Sequence, residues 1–553
     1  MPAAAAPQPA PELPPRYYHD NFLALLTTVL ARYRDVLSAE ELAWLNTLTT
    51  GLSTEAQCLY LRLAFRVGPW FRQSRLHYPE IGDIPAPLAE LFAAGLVTRP
   101  EDLPAHEMGR LFTVAELRNV FPELATTGGK PALLAALAEL GPELQETVCA
   151  YHREHLLGPV GGDVLNLLQL LFFGSFRHSL TDFVLADLGV QRFYPYALEQ
   201  AIRKFDCREA VDEYLALATF RQLWNATVEA DDRHAKQALA AELTTLTPHY
   251  EAAAALWSRI CNRVARELER SGDFDLALAL YGGSQQHPAR ERRARVLEAQ
   301  GDWQSALSLC DDISNGPWCE QELQAAERIA PRLRRRLGGP PVARLPVDHE
   351  EVVLRLAQSG ASVERLAAAH FEASWQRVVY VENALLNGLF GLAYWDEIFS
   401  PQAAAFHHRY QRGPEDMFTR DFAERRSKLL TARRAELAAG PIKTLLLAAY
   451  DRYFGYDNYW VNWRFLDREF LAEALDVIPA AHLLAIWDRQ LFDPGENRKG
   501  FPDLIALNQR QGDYCLIEVK GPGDRLQDGQ RRWLRYFMKQ SIPCSVARVA
   551  WQD

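Results

Sequence analysis

Residues 499–526 read KGFPDLIALNQRQGDYCLIEVKGPGDRL, and the way this stretch folds decides how the rest of the chain is read. Residues 504–507 and 514–519 are short apolar runs with β-branched and aromatic members, separated by a turn containing Gly512 and Asp513. That is the signature of a β-hairpin. Pairing the runs around a turn at 509–513 sets Asn508 opposite residue 513 or 514, and Asp503 beside Glu518 or Val519. Two carboxylates fifteen positions apart in the chain are thereby brought to one end of one hairpin. On the second strand the side-chain period of two puts Glu518 and Lys520 on one face and Val519 on the other. An apolar strand that ends on an acid and a lysine sharing a face needs a reason, because a surface hairpin with incidental charges has no use for it. A divalent cation supplies one. Asp503 and Glu518 offer hard oxygen ligands, the Val519 carbonyl adds a third, and Lys520 is left for a water or a phosphate oxygen.

Pro502-Asp503 followed by Glu518-Val519-Lys520 is the motif arrangement of the PD-(D/E)xK nucleases, and the setting narrows the resemblance. RKGFPDL before the hairpin, GPGDRL after it and Gln530-Arg531-Arg532-Trp533 opening the next helix resemble the VRR-NUC branch of that superfamily. The helix brings Gln530 toward the metal end of the sheet, where a neutral amide positions phosphate or water. Asp503, Glu518, Lys520 and Gln530 are therefore the expected catalytic set. The expected cofactor is Mg²⁺ or Mn²⁺, lowering the pKa of a bound water and binding a non-bridging phosphate oxygen.

Nucleases of this type carry a further acid upstream. In VENALLNGLFGLAYWDEIF, residues 381–399, Glu382 falls at the helical phase of Leu385, Leu386, Leu389 and Ala393, which places it on the stripe expected to be buried. An unpaired carboxylate there costs on the order of several kcal/mol, a conflict that metal ligation removes. The metal set is thus expected to be Glu382, Asp503, Glu518 and the Val519 carbonyl.

The remainder of the 553 residues is too long for one core and implies roughly three to four domains of about 150 residues. With 48% hydrophobic and 24% charged residues, the chain is neither disordered nor fibrous. Eight cysteines without a C-x-x-C pair argue against a zinc ribbon or a disulfide framework. Cys149, His152 and His155 make a poor metal set. Residues 1–15 lack basic and apolar signal regions and read as a disordered tail, and no apolar run reaches membrane-spanning length. A net charge of -11 averages over domains, so it leaves room for a local basic surface. The arginine clusters at 292–295, 332–336 and 531–535 are each read as solvated helix faces.

From residue 17 to about 78, apolar residues such as Phe22, Leu25, Leu26, Val29 and Leu30 recur at helical spacing. FTVAELRNVFPELATTGGKPALLAAL, residues 112–137, holds two helical patterns around a Gly-Gly turn. It resembles a SAP module, a small helix-extended-helix DNA-binding fold, through Glu116-Leu117, Gly129, Lys130 and Leu133-Leu134. Amides at the start of the second helix, with Lys130, suit a phosphate. SGDFDLALALY at 271–281 recurs 29 residues later as QGDWQSALSLC at 300–310, a spacing that fits tetratricopeptide-type helical repeats. GGPPVARLP, residues 338–346, reads as a linker.

The expected architecture is multidomain and mainly α: a helical region at 16–158 with the SAP-like module at about 107–141, helical repeats at 159–345, and a C-terminal α/β PD-(D/E)xK nuclease domain at 346–553 with a helical insertion at about 400–490. This order of parts, with the 380–399 helix ahead of the hairpin, resembles the Fanconi-anaemia-associated nucleases in their bacterial form. The resemblance implies a monomeric, structure-selective enzyme of the bacterial cytoplasm and nucleoid. Such an enzyme cuts 5′ flaps and degrades from 5′ ends in DNA repair, interstrand crosslinks included, with no membrane and no small-molecule cofactor. Branched or flapped duplex DNA is then the partner, with phosphate contacts expected from Lys130, Arg118, Arg498, Lys499 and Arg525. The C-x-x-C ubiquitin-recruitment finger of larger members is absent from this sequence. Two rival readings are a Holliday-junction resolvase and a catalytically silent DNA-binding scaffold. Symmetric dimers of a resolvase would be obstructed by the helices between Glu382 and Asp503, and an intact Asp, Glu and Lys set speaks against a silent scaffold.

Overall fold

The computed structural model describes residues 14–101, 103–120, 128–139, 155–176, 191–340 and 349–552. The tail at 1–13, the SAP-like loop at 121–127, the end of that module at 140–141, Cys149, His152 and the linker from 341 onward lie outside the described residues. The chain folds as two compact units, Met1–Val190 and Gln191–Asp553.

In the first unit, helix Tyr17–Tyr33 buries Phe22, Leu25, Leu26 and Val29, the stripe expected from their spacing. Ser38 and Glu41 form a capping box at the start of helix Ala39–Thr50. A three-stranded sheet then forms from Phe71–Arg72, Val97–Thr98 and Leu156–Pro159, with the last in the centre and antiparallel to both others. The SAP-like segment supplies α1 (Val114–Val120) and α2 (Lys130–Ala138). Thr113 and Glu116 exchange hydrogen bonds at the start of α1, and Leu117, Leu133 and Leu137 share a small core with Met108 and Phe112. Helix Gly162–Phe173 packs on Tyr17–Tyr33 and so belongs to this unit. The helical pairs therefore start after residue 191 rather than at 159.

The second unit begins with consecutive helices that pack on one another from Arg208–Glu229 through α3 (Glu320–Arg336). The repeated motif works through its glycines. Gly272 and Gly301, at φ +85° and +86°, end one helix in the left-handed region and start the next, a conformation that an L side chain enters only with strain. Ala277 and Ala306, five residues on, are wholly buried. Several arginines of the clusters here are paired: Arg332 sits 2.6 Å from Glu298, Arg334 2.6 Å from Asp311, and Arg292 bonds Glu269.

The nuclease domain centres on a five-stranded sheet in the order β1 (Glu350–Leu356), β5 (Cys544–Trp551), β4 (Asp513–Lys520), β3 (Leu504–Asn508), β2 (Arg377–Tyr380). The β1–β5 and β5–β4 pairs are parallel, and β4–β3 and β3–β2 are antiparallel. Alternation sorts the side chains. Leu504, Ala506, Ile517 and Val519 pack toward Ala367 of α4 (Val363–Phe371). Ile505, Leu507 and Leu516 face a larger core with Trp533 and Phe537 of α6 (Asp528–Lys539), α5 (Leu385–Ala393) and the insertion helices. That insertion runs through helices Ser427–Ala439, Ile442–Tyr453, Arg468–Val477 and Ala480–Phe492. Its last turn anchors α3: the Glu320 N–H donates to Asp493 Oδ2 at 3.0 Å, and Asn497 Nδ2 donates to Glu320 Oε1 at 3.1 Å.

Candidate active site

Leu504 pairs with Ile517, so one step along both strands Asp503 meets Glu518, within the register expected from the turn. The Val519 N–H then donates to Asp503 Oδ2 at 2.8 Å, which fixes that carboxylate across the strand end. Glu518 is fully buried. Its Oε1 accepts from Lys520 Nζ at 2.8 Å and from Gln530 Nε2 at 2.5 Å. Gln530 is itself held by the Gln527 N–H, which donates to its Oε1 at 2.8 Å, so the amide hydrogens are aimed at the acid. The approach of α6 to the hairpin depends on Gly500. With φ +82°, a Cβ at this position would fall 2.9 Å from the Gly529 carbonyl carbon and 3.0 Å from the Gln530 nitrogen.

Burial pushes the Glu518 carboxyl up to about 7, with the neighbouring Asp503 charge adding to the rise and Lys520 opposing it. Burial likewise raises Asp503 to about 6, against the Val519 N–H and Lys520. Glu382 adds to both rises. Two like charges therefore meet where desolvation already penalises both, with the charge of Glu382 close enough to act on each.

Glu382 reaches this cluster, but not along the expected route. Helix α5 starts only at Leu385, and Glu382 is exposed in the turn before it, so the buried-stripe argument is corrected. The helix cannot extend back because Asn383 adopts φ +52°, a left-handed conformation that asparagine tolerates. Strand pairing places the acid instead. Tyr380 pairs with Leu504, the Val381 N–H donates to the Asp503 carbonyl at 2.8 Å, and the Tyr380 hydroxyl donates to Glu382 Oε2. Two further residues went unnoticed in the sequence. Tyr380 is one, and the other is Glu364 in the first turn of α4, whose charge also raises Asp503. The serine cap at Ser362 and the helical run after it were the available signal for α4.

The expected phosphate ligands separate into two sets. In the first unit, Lys130 Nζ donates to the Arg110 carbonyl at 2.7 Å and Arg118 reaches the Gly128 carbonyl at 3.4 Å. Pro131, the second residue of α2, brings no N–H to an anion. In the second unit, the Arg498 guanidinium lies 4.1 Å over the Phe418 ring. Lys499 is largely exposed, and Arg525 is exposed on the loop between β4 and α6.

The donor set suits a divalent cation. Glu518 Oε2 is buried without a hydrogen-bond partner, and the accumulated negative charge is what a hard cation would relieve. Among the described residues no three His, Cys, Asp or Glu side chains form a ready-made cage. Asp503, Glu518 and the Val519 carbonyl remain the candidate donors, with Glu382 as a further acid.

The model of the VRR-NUC domain matches residues 439–551, and that of the FAN1 HTH domain matches 16–98. The chain is 35% identical to the Fanconi-associated nuclease 1 homolog of Pseudomonas aeruginosa, over 99% of this chain and 98% of that one. It is 24% identical to the homolog of Arabidopsis thaliana, over 97% of this chain and 68% of that one. Its fold matches the crystal structure of paFAN1 bound to 5′ flap DNA with a two-nucleotide flap and a gap, with a TM-score of 0.83 and 33% identity over 98% of this chain and all of that one. Divalent-metal dependence accompanies such a domain. The carboxylates, lysine and glutamine at the end of the β3–β4 hairpin are thus seated in a VRR-NUC domain, and the chain, a DNA nuclease hydrolysing phosphodiester bonds, belongs to the Fanconi-associated nuclease 1 family.

Proposed function

We propose that this nuclease cuts 5′ flaps and degrades from 5′ ends at branched DNA, as a monomer in the cytoplasm and on nucleoid DNA, in repair that includes interstrand crosslinks. The observation that carries the reading is the convergence of Asp503, Glu518, Lys520 and Gln530 at the hairpin end, in a chain whose solved relative holds 5′ flap DNA. Asp503, Glu518 and the Val519 carbonyl would hold Mg²⁺ or Mn²⁺, with Glu382 the third acid. When bound, the ion supplies an acidified water and charge compensation at the phosphate. Lys520 is, among the described residues, the cation bonded to the buried acid, and its remaining donors serve a phosphate oxygen or the attacking water. Gln530 keeps Glu518 from turning away. Lys499 and Arg525, exposed on either side of the hairpin, hold the phosphate backbone by charge.

The test is cleavage of end-labelled flapped, nicked and four-way DNA by the purified chain, titrated with Mg²⁺, Mn²⁺ and Ca²⁺. Flaps are cut fastest, with Mg²⁺ or Mn²⁺. Calcium, larger and a weaker acidifier of its water, supports binding without turnover. Full cleavage in excess chelator refutes the metal site, and symmetric cutting of four-way DNA in preference to flaps refutes the substrate.

A further inference from the structure

Several arginines of this unit meet carboxylates: Arg332 with Glu298, Arg334 with Asp311, Arg292 with Glu269 and, beside the hairpin, Arg532 with Glu496. Two others near the hairpin meet rings. Arg498 lies 4.1 Å over Phe418, Phe418 meets Tyr459 edge-on at 5.3 Å, and Arg412 lies 5.5 Å over Tyr459. Neither Arg412 nor Arg498 has an ion pair among the described residues, and Arg412 and Tyr459 are exposed, the tyrosine by 43%. The Tyr459 N–H donates to the Arg412 carbonyl at 3.2 Å, so these two residues are fixed together by main chain as well. The ladder starts at the active site. Asn387 donates to the Arg498 carbonyl at 2.9 Å and to the Asn383 carbonyl at 2.7 Å, which ties Arg498 to the Glu382–Asn383 turn, five residues ahead of Asp503.

We propose that the Arg498–Phe418–Tyr459–Arg412 ladder is a single-strand path, on which the strand displaced from the duplex lays its bases against Tyr459 and its phosphates against the two guanidiniums. An arginine spread on a ring keeps its in-plane N–H donors for phosphates, while an exposed ring offers its face to any unpaired base. Paired bases inside a duplex have no free face, so the alternation of cation and ring selects a single strand. Charge points the same way: among the described residues Arg498 has no ion pair, and Arg412 has only the field of Asp457, in a chain of net charge -11. The inference rests on the reading of the chain as a flap nuclease and assigns the flap its route.

The experiment uses the full chain with Ca²⁺, which supports binding without turnover, and reads two quantities. The first is affinity for an oligothymidylate of about twelve nucleotides, within the span of known single-strand sites, against an abasic oligomer of equal length. The second is the ratio of affinities for flapped over nicked duplex. Loss of one stacked base predicts about a tenfold drop in oligothymidylate binding and in the flapped-to-nicked ratio for Tyr459→Ala. Tyr459→Phe should retain both, which separates stacking from misfolding. If Tyr459→Ala leaves both unchanged, or the wild type binds abasic and thymidine strands equally, the path is wrong; a basic surface for acidic peptides would give that second result. Because oligothymidylate binding needs no cleavage, it decides the path even if flaps prove not to be the preferred substrate.

Discussion

A buried and a half-buried glutamate of this chain look alike one at a time. Glu518 and Glu397 are each pushed up to about 7 by burial, and each keeps its Oε2 buried without a hydrogen-bond partner. Their surroundings differ. Glu518 has Asp503, Glu382, Lys520 and Gln530 converging on it. Glu397, in the short helix Trp395–Ile398 after α5, has a backbone N–H and the field of Arg433 against those of Asp396 and Glu436. A perturbed carboxylate is therefore not a site. Convergence of second carboxylate, cation and fixed amide is what makes one.

The comparison breaks most easily at Glu518. Glu518→Gln, Asp503→Asn and Lys520→Ala should each lower flap cleavage by about 10³-fold or more while flap binding persists, since affinity is spread over many phosphate contacts. Single-turnover cleavage with a parallel binding titration measures this. Any one variant that keeps a tenth of the rate removes its residue from the catalytic set.

Next comes the close approach that brings Gln530 to Glu518. Gly500→Ala meets both a left-handed φ and main-chain atoms of α6 at 2.9 and 3.0 Å, so the helix start or the loop must shift. A displacement of the order of 1 Å predicts about a 10²-fold loss in kcat, with about 1–3 kcal/mol of stability lost. A Gly500→Ala enzyme with unchanged kcat would mean that Gln530 does not position Glu518.

These two predictions also mark what was legible in the chain. The hairpin could be read because a period of two and a short turn set the register locally, so Asp503, Glu518 and Lys520 follow from neighbouring residues. Glu382 could be named but not correctly placed. Its helical phase suggested a buried stripe, whereas Asn383 at φ +52° ends the helix and pairing of β2 with β3 carries the acid to the site. That pairing joins segments more than a hundred residues apart, and no local pattern reports it. Tyr459 and Arg412 were invisible for the same reason, since only the folded insertion brings them to Phe418 and Arg498. The repeat glycines were legible because each acts on its own helix end.

A smaller effect sharpens the other half of the comparison. Glu397 has a folded value of about 7 against an ordinary 4.5, so the folded chain binds more protons than the unfolded one between those values. Stability contributed by the neutral acid is present below about 4.5 and is lost as pH rises through 7. Glu397→Gln should therefore gain about 1–3 kcal/mol at pH 8 and nearly nothing at pH 4.5, with cleavage retained. Denaturant unfolding at the two pH values checks it. A gain of equal size at both would mean that folding does not raise the Glu397 carboxyl above its ordinary value.

The smallest expected effect concerns the SAP-like helices, where charge is satisfied by main chain rather than left open. Lys130 donates to the Arg110 carbonyl and Arg118 to the Gly128 carbonyl, so both cations are already placed around the start of α2 before any DNA arrives. A phosphate there would meet Lys130 but few free amides, because Pro131 has none and the Ala132 N–H donates to the Gly129 carbonyl at 3.1 Å. The site would thus act through one point charge, not through a helix-end cradle. One phosphate contact corresponds to a slope of about 0.9 in log affinity against log salt. Lys130→Glu should then lower that slope for plain duplex by about one and weaken binding several-fold at low salt, converging with wild type as salt rises. Lys130→Gln should lose the slope with less weakening, since it removes charge without adding repulsion. Parallel salt lines for all three proteins would leave Lys130 as a helix-start residue bonded to Arg110, with no part in holding DNA.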